Sequence, residues 1–482
     1  MSINPFASAT EHLHLLRDRE VSSVELLDFY IARIERYDSA INAVVTRAFD
    51  TARQRAQAAD DARSRGEDAP LLGLPMTIKD CIHVAGLPTT GGVVERADAI
   101  SDRDATTVAR LRAAGVVIMG KTNVPPYAAD YQAWNPVFGR TNNPWNQDRS
   151  PGGSSGGSAA ALAAGLTPLE LGGDMAGSVR QPAAFCGVYG HKTSETAVPR
   201  TGHFPGGLLP NNAVGFGVQG PMARSAEDLA LALDVLAGPL EREAVAWRIE
   251  LPEPRRKRLS EYRVAFLPNP DWLVLDDDIH AAVERLADGL SRAGATVGWT
   301  QPEWPGGLLR YHEVFLRIMY AFTASIPPDD RPAIAAQMRA SGTIEGLAFA
   351  DGLMATAQDY VGWWGEREQF VEAYRAFFSE WDVLVSPVQG LTAFPHDERP
   401  HHERTITING VPATGESLMV HPGLCNLSGH PGTAFPVGLS REGLPTGLQA
   451  IGPYLEDRTP IHFAGLVADE FGGFVAPPGY TE

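Results

Sequence analysis

The sequence contains little cysteine and no long apolar segment. The three cysteines in 482 residues, Cys81, Cys186 and Cys425, are too few and too scattered for a disulfide framework or a four-ligand zinc site. No stretch approaches the roughly 20 apolar residues that a membrane-spanning helix needs, and the first residues lack the basic and apolar regions of a secretory signal. We therefore expect a cytoplasmic protein with no membrane partner.

Basic residues are also under-represented. The chain has 40 Lys and Arg against 58 Asp and Glu, which gives a formal net charge of −18. The electrostatic field of a protein with this net charge repels polyanions unless a local basic patch overrides it. The one basic run, Arg255 to Arg258, is flanked by prolines and is interpreted as a solvated linker. We expect no nucleic-acid partner.

The hydrophobic pattern alternates between helix and strand periods. Ser22 and Glu25 have capping-box spacing and predict a helix from about residue 23, and the apolar segment 71–78 predicts a strand with Lys79 at its end. Further helices are predicted at 106–114, 225–236 and 278–291, and further strands at 116–119, 263–267, 295–299 and 382–387. This succession predicts an α/β fold in which helices cover a sheet.

Glycine, serine and small residues concentrate between Ser150 and Lys192. Four glycines surround Ser154 and Ser155, and a second predicted turn, 172–178, ends at Ser178. Glycine permits backbone angles and close approaches that a Cβ would block, so the chain is shaped around serine hydroxyls. The segment 158–165 predicts a short alanine-rich helix between the two turns.

Three simpler interpretations of this segment are less consistent with its residues. A phosphate-binding loop needs a lysine closing the loop, and none follows Gly157. A nucleophile elbow must follow a buried strand, whereas residues 142–151 are turn-forming. A flexible linker would not be followed by an alanine-rich helix and an apolar run.

The segment closely resembles the signature of the amidase signature family of serine hydrolases. The resemblance rests on P-G-G-S-S-G-G-S-A-A-A and G-G-D-x-x-G-S-V-R-x-P-A-A-F-C-G-V-x-G-x-K, and extends to residues 73–80, 120–123, 220–225, 429–432 and 443–449. It covers most of the chain. It implies one large domain over 1–482, with a mixed sheet sandwiched between helices, N-terminal helices at about 8–66, a catalytic core at about 70–240 and a helical covering region at about 300–380.

The resemblance also implies the site residues. The family uses a lysine, a bridging serine on a cis peptide bond, and a nucleophilic serine 24 positions later, which correspond here to Lys79, Ser154 and Ser178. It needs no metal or cofactor. Backbone N–H groups of Met175, Ala176, Gly177 and Ser178 are expected to form the oxyanion hole, and Ser155, Asp174 and Arg180 to support it.

This arrangement suits amide hydrolysis. A serine hydroxyl needs a base nearby, and Lys79 can act as that base only if burial keeps it neutral. Ser154 would pass the proton of Ser178 to Lys79 and return it to the leaving nitrogen. Tyr131 and Trp134 lie in an aromatic segment between the motifs that is expected either to line the substrate pocket or to pack in the core.

The chain departs from the family pattern at Ala176, where glycine is usual, and at Thr193, where proline is usual. The first departure affects the shape of the oxyanion hole, because alanine permits fewer backbone angles. A Ser-His-Asp triad using His191, His203 or His430 and a nucleophilic Cys81 remain rival interpretations.

We expect an amidase that cleaves small amides, aryl amides, carbamates or small esters through an acyl-enzyme. One alternative is the A subunit of a glutamine-dependent aminoacyl-tRNA amidotransferase, which is its glutamine-cleaving component. The other alternative is a non-catalytic binding protein on the same fold. The expected partners are the small substrate and water, with a homodimer left open.

Overall fold

One large mixed sheet organises the molecule. The computed structural model describes residues 3–206, 215–323, 326–399, 404–413 and 416–481. In these ranges fifteen strands are found: β1 (Val44–Arg47), β2 (Pro75–Lys79), β3 (Val117–Thr122), β4 (Trp134–Asn135), β5 (Gly139–Arg140), β6 (Leu169–Asp174), β7 (Tyr189–Lys192), β8 (Val218–Ala223), β9 (Arg263–Phe266), β10 (Thr296–Trp299), β11 (Val383–Pro387), β12 (Ile406–Ile408), β13 (Val411–Ala413), β14 (Gly432–Leu439) and β15 (Pro445–Ile451).

Eleven of these strands form the main sheet, in the order β1-β3-β2-β6-β8-β7-β14-β15-β11-β9-β10. The β3–β2–β6 and β11–β9–β10 pairings are parallel, and the other pairings are antiparallel. Every residue of β2, β3, β6 and β8 is buried. Because strands buried along their whole length have both faces covered, the predicted sheet sandwiched by helices is confirmed.

Fourteen α-helices pack around the sheet in the described part of the chain: α1 (Ala9–Arg17), α2 (Ser23–Ile41), α3 (Phe49–Ser64), α4 (Thr106–Ala113), α5 (Gly156–Ala163), α6 (Arg180–Cys186), α7 (Ala226–Leu236), α8 (Asp277–Arg292), α9 (Gly307–Thr323), α10 (Arg331–Ala340), α11 (Ile344–Leu353), α12 (Ala357–Glu380), α13 (Val420–Asn426) and α14 (Arg458–Phe471). None of them is long and apolar enough to cross a bilayer.

Local sequence explains where several helices begin. The predicted capping box is present at α2, where Ser22 Oγ accepts from the N–H of Glu25 and the Glu25 carboxylate accepts from the N–H of Ser22. Ser225 caps α7 in the same way by accepting from the N–H of Asp228. The region from 307 to 380 is largely helical, as predicted.

Two local predictions are wrong. The predicted turn from residue 172 begins later, because Gly172 and Gly173 continue β6 and pair with Gly220 and Gln219 of β8. Packing requires glycine at 173, since a Cβ there would lie 2.6 Å from His203 Nε2. The alanine-rich helix starts at Gly156, two residues before the predicted start.

The basic run 255–258 is also not the solvated linker that was predicted. Arg255 forms an ion pair with Glu456 at 2.6 Å and donates to the carbonyl of Phe378, and Arg256 pairs with the buried Asp382. These side chains attach the segment to the end of α12 and to the loop before α14. Glu456 and Asp382 neutralise the charges of Arg255 and Arg256, which a nucleic-acid-binding surface would need.

Candidate active site

Lys79 ends strand β2 and is completely buried. Its Nζ lies 2.6 Å from Ser154 Oγ and 3.1 Å from the carbonyl oxygen of Gly173 on the neighbouring strand β6. Burial lowers the pKa of Lys79, although nearby Cys81 and Asp174 act in the opposite direction. The side chain is therefore held in the surroundings that favour a neutral amine next to a serine hydroxyl.

Ser154 lies in the loop before α5, and the Gly153–Ser154 peptide bond is cis, as the resemblance implies. The loop packs tightly, since a Cβ on Gly153 would lie 2.5 Å from the carbonyl oxygen of Asp130. The N–H of Gly153 donates to Gln181 Oε1 at 2.8 Å. The N–H of Ser155 donates to the carbonyl of Ser178 at 3.1 Å, so the backbone brings the two serine segments together.

Ser178 is the last residue of the turn that follows β6, and it is partly exposed. Gly177 precedes it with a φ of +97°, and a Cβ on Gly177 would lie 2.7 Å from Cβ of Pro422. Both observations require glycine at this position. Pro422 belongs to α13, so a distant part of the chain packs against the turn.

Asp174 and Arg180 form a buried ion pair at 2.9 Å on either side of the turn. The Asp174 carboxylate also accepts from the N–H groups of Gly177 at 2.9 Å and Val179 at 3.1 Å. Burial alone would raise the pKa of Asp174, but the Arg180 guanidinium and these hydrogen bonds hold it well below its ordinary value. The two residues pair across the turn, as expected, and their supporting role at the site stays a prediction.

The Ala176–Gly177 peptide is anchored from both sides. The phenolic O–H of Tyr131 donates to the carbonyl of Ala176 at 2.8 Å, while the N–H of Gly177 donates to Asp174. The Gly177 N–H is therefore occupied, which argues against its expected place among the oxyanion donors. The N–H groups of Met175, Ala176 and Ser178 remain as candidates.

In the described ranges, Ala176 is not one of the non-glycine residues that have a positive φ. Alanine adopts negative φ without strain. The departure from the usual glycine therefore brings no positive-φ strain at this position.

An apolar cluster contacts the turn, and Tyr131, which holds the turn, lines a cavity. Met175 and Ala176 pack against this aromatic-rich cluster, which joins the helical region 307–380 to α13 and whose aromatic members include Phe216, Phe315, Phe322 and Trp364. Tyr131 lines a cavity of about 390 Å³ together with Phe394, Leu418 and the Asp130–Arg404 ion pair. Trp134 is not among its lining residues and lies instead in the β4–β5 hairpin.

Cys81 and the three histidines, which are the rival catalytic residues, contact groups other than Ser154 and Ser178. Cys81 Sγ lies 3.3 Å from His203 Nε2, and burial raises the pKa of the thiol. The imidazole of His191 contacts Asp457 and Thr433, and His430 stacks on Tyr374 at 4.5 Å between ring centroids. None of the three histidines has a hydrogen bond to Ser154 or Ser178 in the part of the chain described.

Sequence reasoning missed the C-terminal part of the site. Arg180 also donates to the carbonyl of Pro422 at 3.0 Å, to Gln449 Oε1 at 2.6 Å and to Asn426 Oδ1 at 2.5 Å. Gln449 lies within one of the stretches that carry the resemblance, and this was the only available signal.

The family model described as Amidase matches residues 25–460. The chain belongs to the amidase signature family. It is 34% identical over 475 residues to "Putative amidase AmiB2" of Mycobacterium bovis, covering 96% of each chain. It is 33% identical over 466 residues to the A component of the glutamyl-tRNA(Gln) amidotransferase of a Roseiflexus species, covering 91% of each.

Among solved structures, a bacterial aryl acylamidase of the same family superimposes with a TM-score of 0.80 at 26% identity. The match covers 97% of this chain and 96% of the other chain. The structure therefore has the amidase signature fold over nearly its whole length.

Proposed function

We propose that this amidase signature protein hydrolyses non-peptide amides, with Ser178 as nucleophile, Ser154 as proton relay and Lys79 as base. The observation that carries the proposal is the 2.6 Å contact between Nζ of the fully buried Lys79 and Ser154 Oγ. A buried lysine without a carboxylate partner costs free energy in its charged form. The neutral form of Lys79, which burial favours, is the form that can accept a proton from the neighbouring serine hydroxyl.

The chemistry proceeds in two halves. Ser178 Oγ attacks the amide carbon while its proton passes to Ser154 and the proton of Ser154 passes to Lys79 Nζ. When the carbon–nitrogen bond breaks, the protons return along the same path to the leaving nitrogen, which departs as a neutral amine. Water then attacks the acyl-enzyme through the same relay and releases the acid.

The tetrahedral intermediate carries a negative oxygen. The N–H groups of Met175, Ala176 and Ser178 are the proposed donors, and loss of one such donor typically costs about 10²–10³ in rate. The anchored Ala176–Gly177 peptide holds the turn before substrate binds. Such a preorganised turn avoids reorganisation during the reaction.

The proposed substrates are uncharged amides with an apolar part. The apolar cluster that packs on Met175 and Ala176 is rich in aromatic side chains, so it suits an aryl or alkyl group better than an ionic one. The structural similarity to an aryl acylamidase supports an aryl amide. Carbamates and small esters present the same carbonyl and are secondary candidates.

The decisive test is hydrolysis of a simple anilide by the purified chain alone. We expect turnover that Ser178→Ala and Lys79→Ala each reduce by orders of magnitude while the circular dichroism spectrum is unchanged. A fluorophosphonate should label Ser178, as mapped by peptide mass spectrometry. Label on Ser154 or Cys81, with Ser178→Ala still active, would contradict the assignment.

The pH profile tests the base. Because only the neutral amine accepts a proton, kcat/KM should rise with pH through the lysine's lowered pKa. If Lys79→Ala kept its rate while a variant of His191, His203 or His430 lost it, the base would be a histidine.

The amidotransferase component remains the alternative that the sequence similarity supports. Such a protein would release ammonia from glutamine and depend on a partner that holds tRNA. Glutamine hydrolysis only in the presence of such a partner, with no anilide turnover, would favour it. A non-catalytic binding protein would keep its function in the Ser178→Ala variant.

A further inference from the structure

Two buried histidines, His312 and His421, carry polar atoms that no described residue contacts. Each residue is 2% exposed, and both ring nitrogens of each imidazole lack a hydrogen-bond partner among the described residues. Buried polar side-chain atoms are usually hydrogen bonded, and leaving one without a partner costs free energy. Four such atoms on two rings therefore indicate a partner from outside the described chain.

The main chain at His421 is tied to the turn that carries Ser178. His421 lies in α13 directly before Pro422, and a Cβ on Gly177 would lie 2.7 Å from Cβ of Pro422. Gln449 Nε2 donates to the carbonyl of His421 at 2.9 Å. The backbone that carries this imidazole is therefore fixed next to the Ser178 turn.

His312 lies on α9 where that helix contacts α13. Its neighbour Tyr311 donates its O–H to a main-chain carbonyl of α13 at 2.6 Å, and a Cβ on Gly423 would lie 3.1 Å from Cδ1 of Phe315. Residues three apart on a helix share a face, so His312 and Phe315 are on the same side of α9. His421 is also close enough to act electrostatically on the pKa of His312. The two imidazoles therefore belong to one interface between α9 and α13.

The surroundings of the pair are otherwise apolar. The cluster that packs on the Ser178 turn includes Phe315 of α9 and Leu418, which lies three residues before His421. Leu418 also lines the cavity that Tyr131 lines. Gln389 Nε2 donates to the carbonyl of Leu418 at 3.4 Å, and the Oε1 atom of Gln389 is a further buried acceptor without a partner in the described ranges. The unpartnered groups thus form a polar position within the apolar surroundings of the turn.

The charge state of the rings decides which ligand group suits them. Burial lowers the pKa of His312 and of His421 to about 4, so both rings are neutral at neutral pH. A neutral imidazole presents one N–H donor and one acceptor nitrogen. A hydroxyl group or a carboxamide can match both, because each donates and accepts. A carboxylate only accepts and an ammonium only donates, and burying either beside uncharged rings would be costly.

We propose that His312 and His421 form a polar subsite that hydrogen bonds a neutral donor–acceptor group, such as a hydroxyl or a carboxamide, on the apolar part of the substrate. This inference rests on the proposed function of the Ser178 turn. It narrows the proposed substrates from uncharged amides in general to amides whose aryl or alkyl part carries such a group. The two histidines determine specificity and take no part in breaking the carbon–nitrogen bond.

The test is a panel of anilides in which one ring carries hydrogen, a hydroxyl group or a carboxamide, on either the acyl or the amine side. We expect at least one polar member to exceed its unsubstituted parent in kcat/KM by at least about tenfold. His312→Leu and His421→Leu should each reduce that preference by at least about fivefold, because leucine removes the donor and the acceptor. Since wild type and variant act on the same two substrates, differences in intrinsic reactivity cancel in this comparison.

His12→Leu is the matched control, because it removes a buried imidazole from α1, and it should keep the wild-type preference. A smaller preference for every polar member, or a smaller reduction in both folded histidine variants, would overturn the proposal and indicate that the rings bind buried water only. Calorimetric titration of Ser178→Ala protein with the same anilides separates this inference from the catalytic one. Tighter binding of the preferred polar anilide, lost in His421→Leu, would support the subsite even without turnover, and equal binding of polar and parent anilides would overturn it.

Discussion

At the scale of single residues, the peptide between Ala176 and Gly177 is the most constrained part of the candidate site. Tyr131 holds its carbonyl and Asp174 holds its N–H. The hydrogen-bonding groups of this peptide are therefore occupied before a substrate arrives. A substitution here changes the candidate oxyanion turn without removing a proposed catalytic side chain.

Ala176→Gly is expected to lower stability by about 0.5–1 kcal/mol, because glycine gains freedom in the unfolded chain and alanine is unstrained in the folded one. It should also lower kcat modestly by loosening the turn. Ala176→Val should reduce kcat more strongly, since a β-branched side chain would crowd the carbonyl of the substrate. Urea unfolding and anilide kinetics measure both effects. Higher stability in Ala176→Gly, or wild-type kcat in Ala176→Val, would disprove this account of the turn.

At the scale of elements, Arg180 joins α6 to α13 and β15. It is fully buried, pairs with Asp174, and donates to Pro422, Asn426 and Gln449. A planar guanidinium can satisfy these acceptors at once, whereas a lysine ammonium cannot reproduce its geometry. The support of the turn that carries Ser178 therefore depends on elements more than 240 residues away.

Arg180→Lys is expected to destabilise the fold by about 1–3 kcal/mol, because lysine keeps the charge opposite Asp174 but leaves buried acceptors without donors, and to lower kcat by orders of magnitude. Arg458→Lys is the matched control, because its pair with Asp234 is partly exposed and should contribute no more than about 1 kcal/mol. Equilibrium unfolding in urea gives the comparison. Equal effects of the two substitutions would show that the Arg180 network is not needed.

Local signals in the sequence predicted local structure well. The Ser22–Glu25 capping box and the strand ending at Lys79 each depend on short stretches of chain. Contacts made by folding could not be predicted in this way. Gly172 and Gly173 have the composition of a turn but lie in a strand because of their neighbours, and Glu170 is surrounded by hydroxyls from three separate elements.

At the scale of the whole molecule, several buried histidines are kept neutral. Burial lowers the pKa of His312 and of His421 to about 4, and neither ring has a hydrogen-bond partner in the described ranges. His12 and His430 are buried as well, and their pKa is lowered to about 3. At a pH between these lowered values and the ordinary histidine pKa, the four imidazoles stay uncharged in the folded protein but are protonated in the unfolded chain.

The free energy of unfolding is therefore expected to fall as pH decreases from about 6.5 to about 4. Below the ordinary histidine pKa the unfolded state binds more protons than the folded state, so acid favours unfolding. Each tenfold difference in proton affinity corresponds to about 1.4 kcal/mol, so the groups together should cost several kcal/mol. Urea midpoints measured across this range test the expectation.

His312→Asn should make this pH dependence less steep, whereas His280→Gln, at an exposed position, should leave it unchanged. A midpoint that stays constant between pH 6.5 and 4 would show that the buried histidines are protonated in the fold.

The contacts of Arg180 also bear on when the enzyme becomes active during synthesis. Arg180 and its partner Gln449 are 269 residues apart, and ribosomes add about 5–20 residues per second. Lys79, Ser154 and Ser178 therefore emerge from the ribosome on the order of 10–50 seconds before β15 can support them. Nascent chains stalled before residue 449 are therefore expected to lack the hydrolytic activity proposed for the complete fold, because the turn that carries Ser178 would not yet be supported.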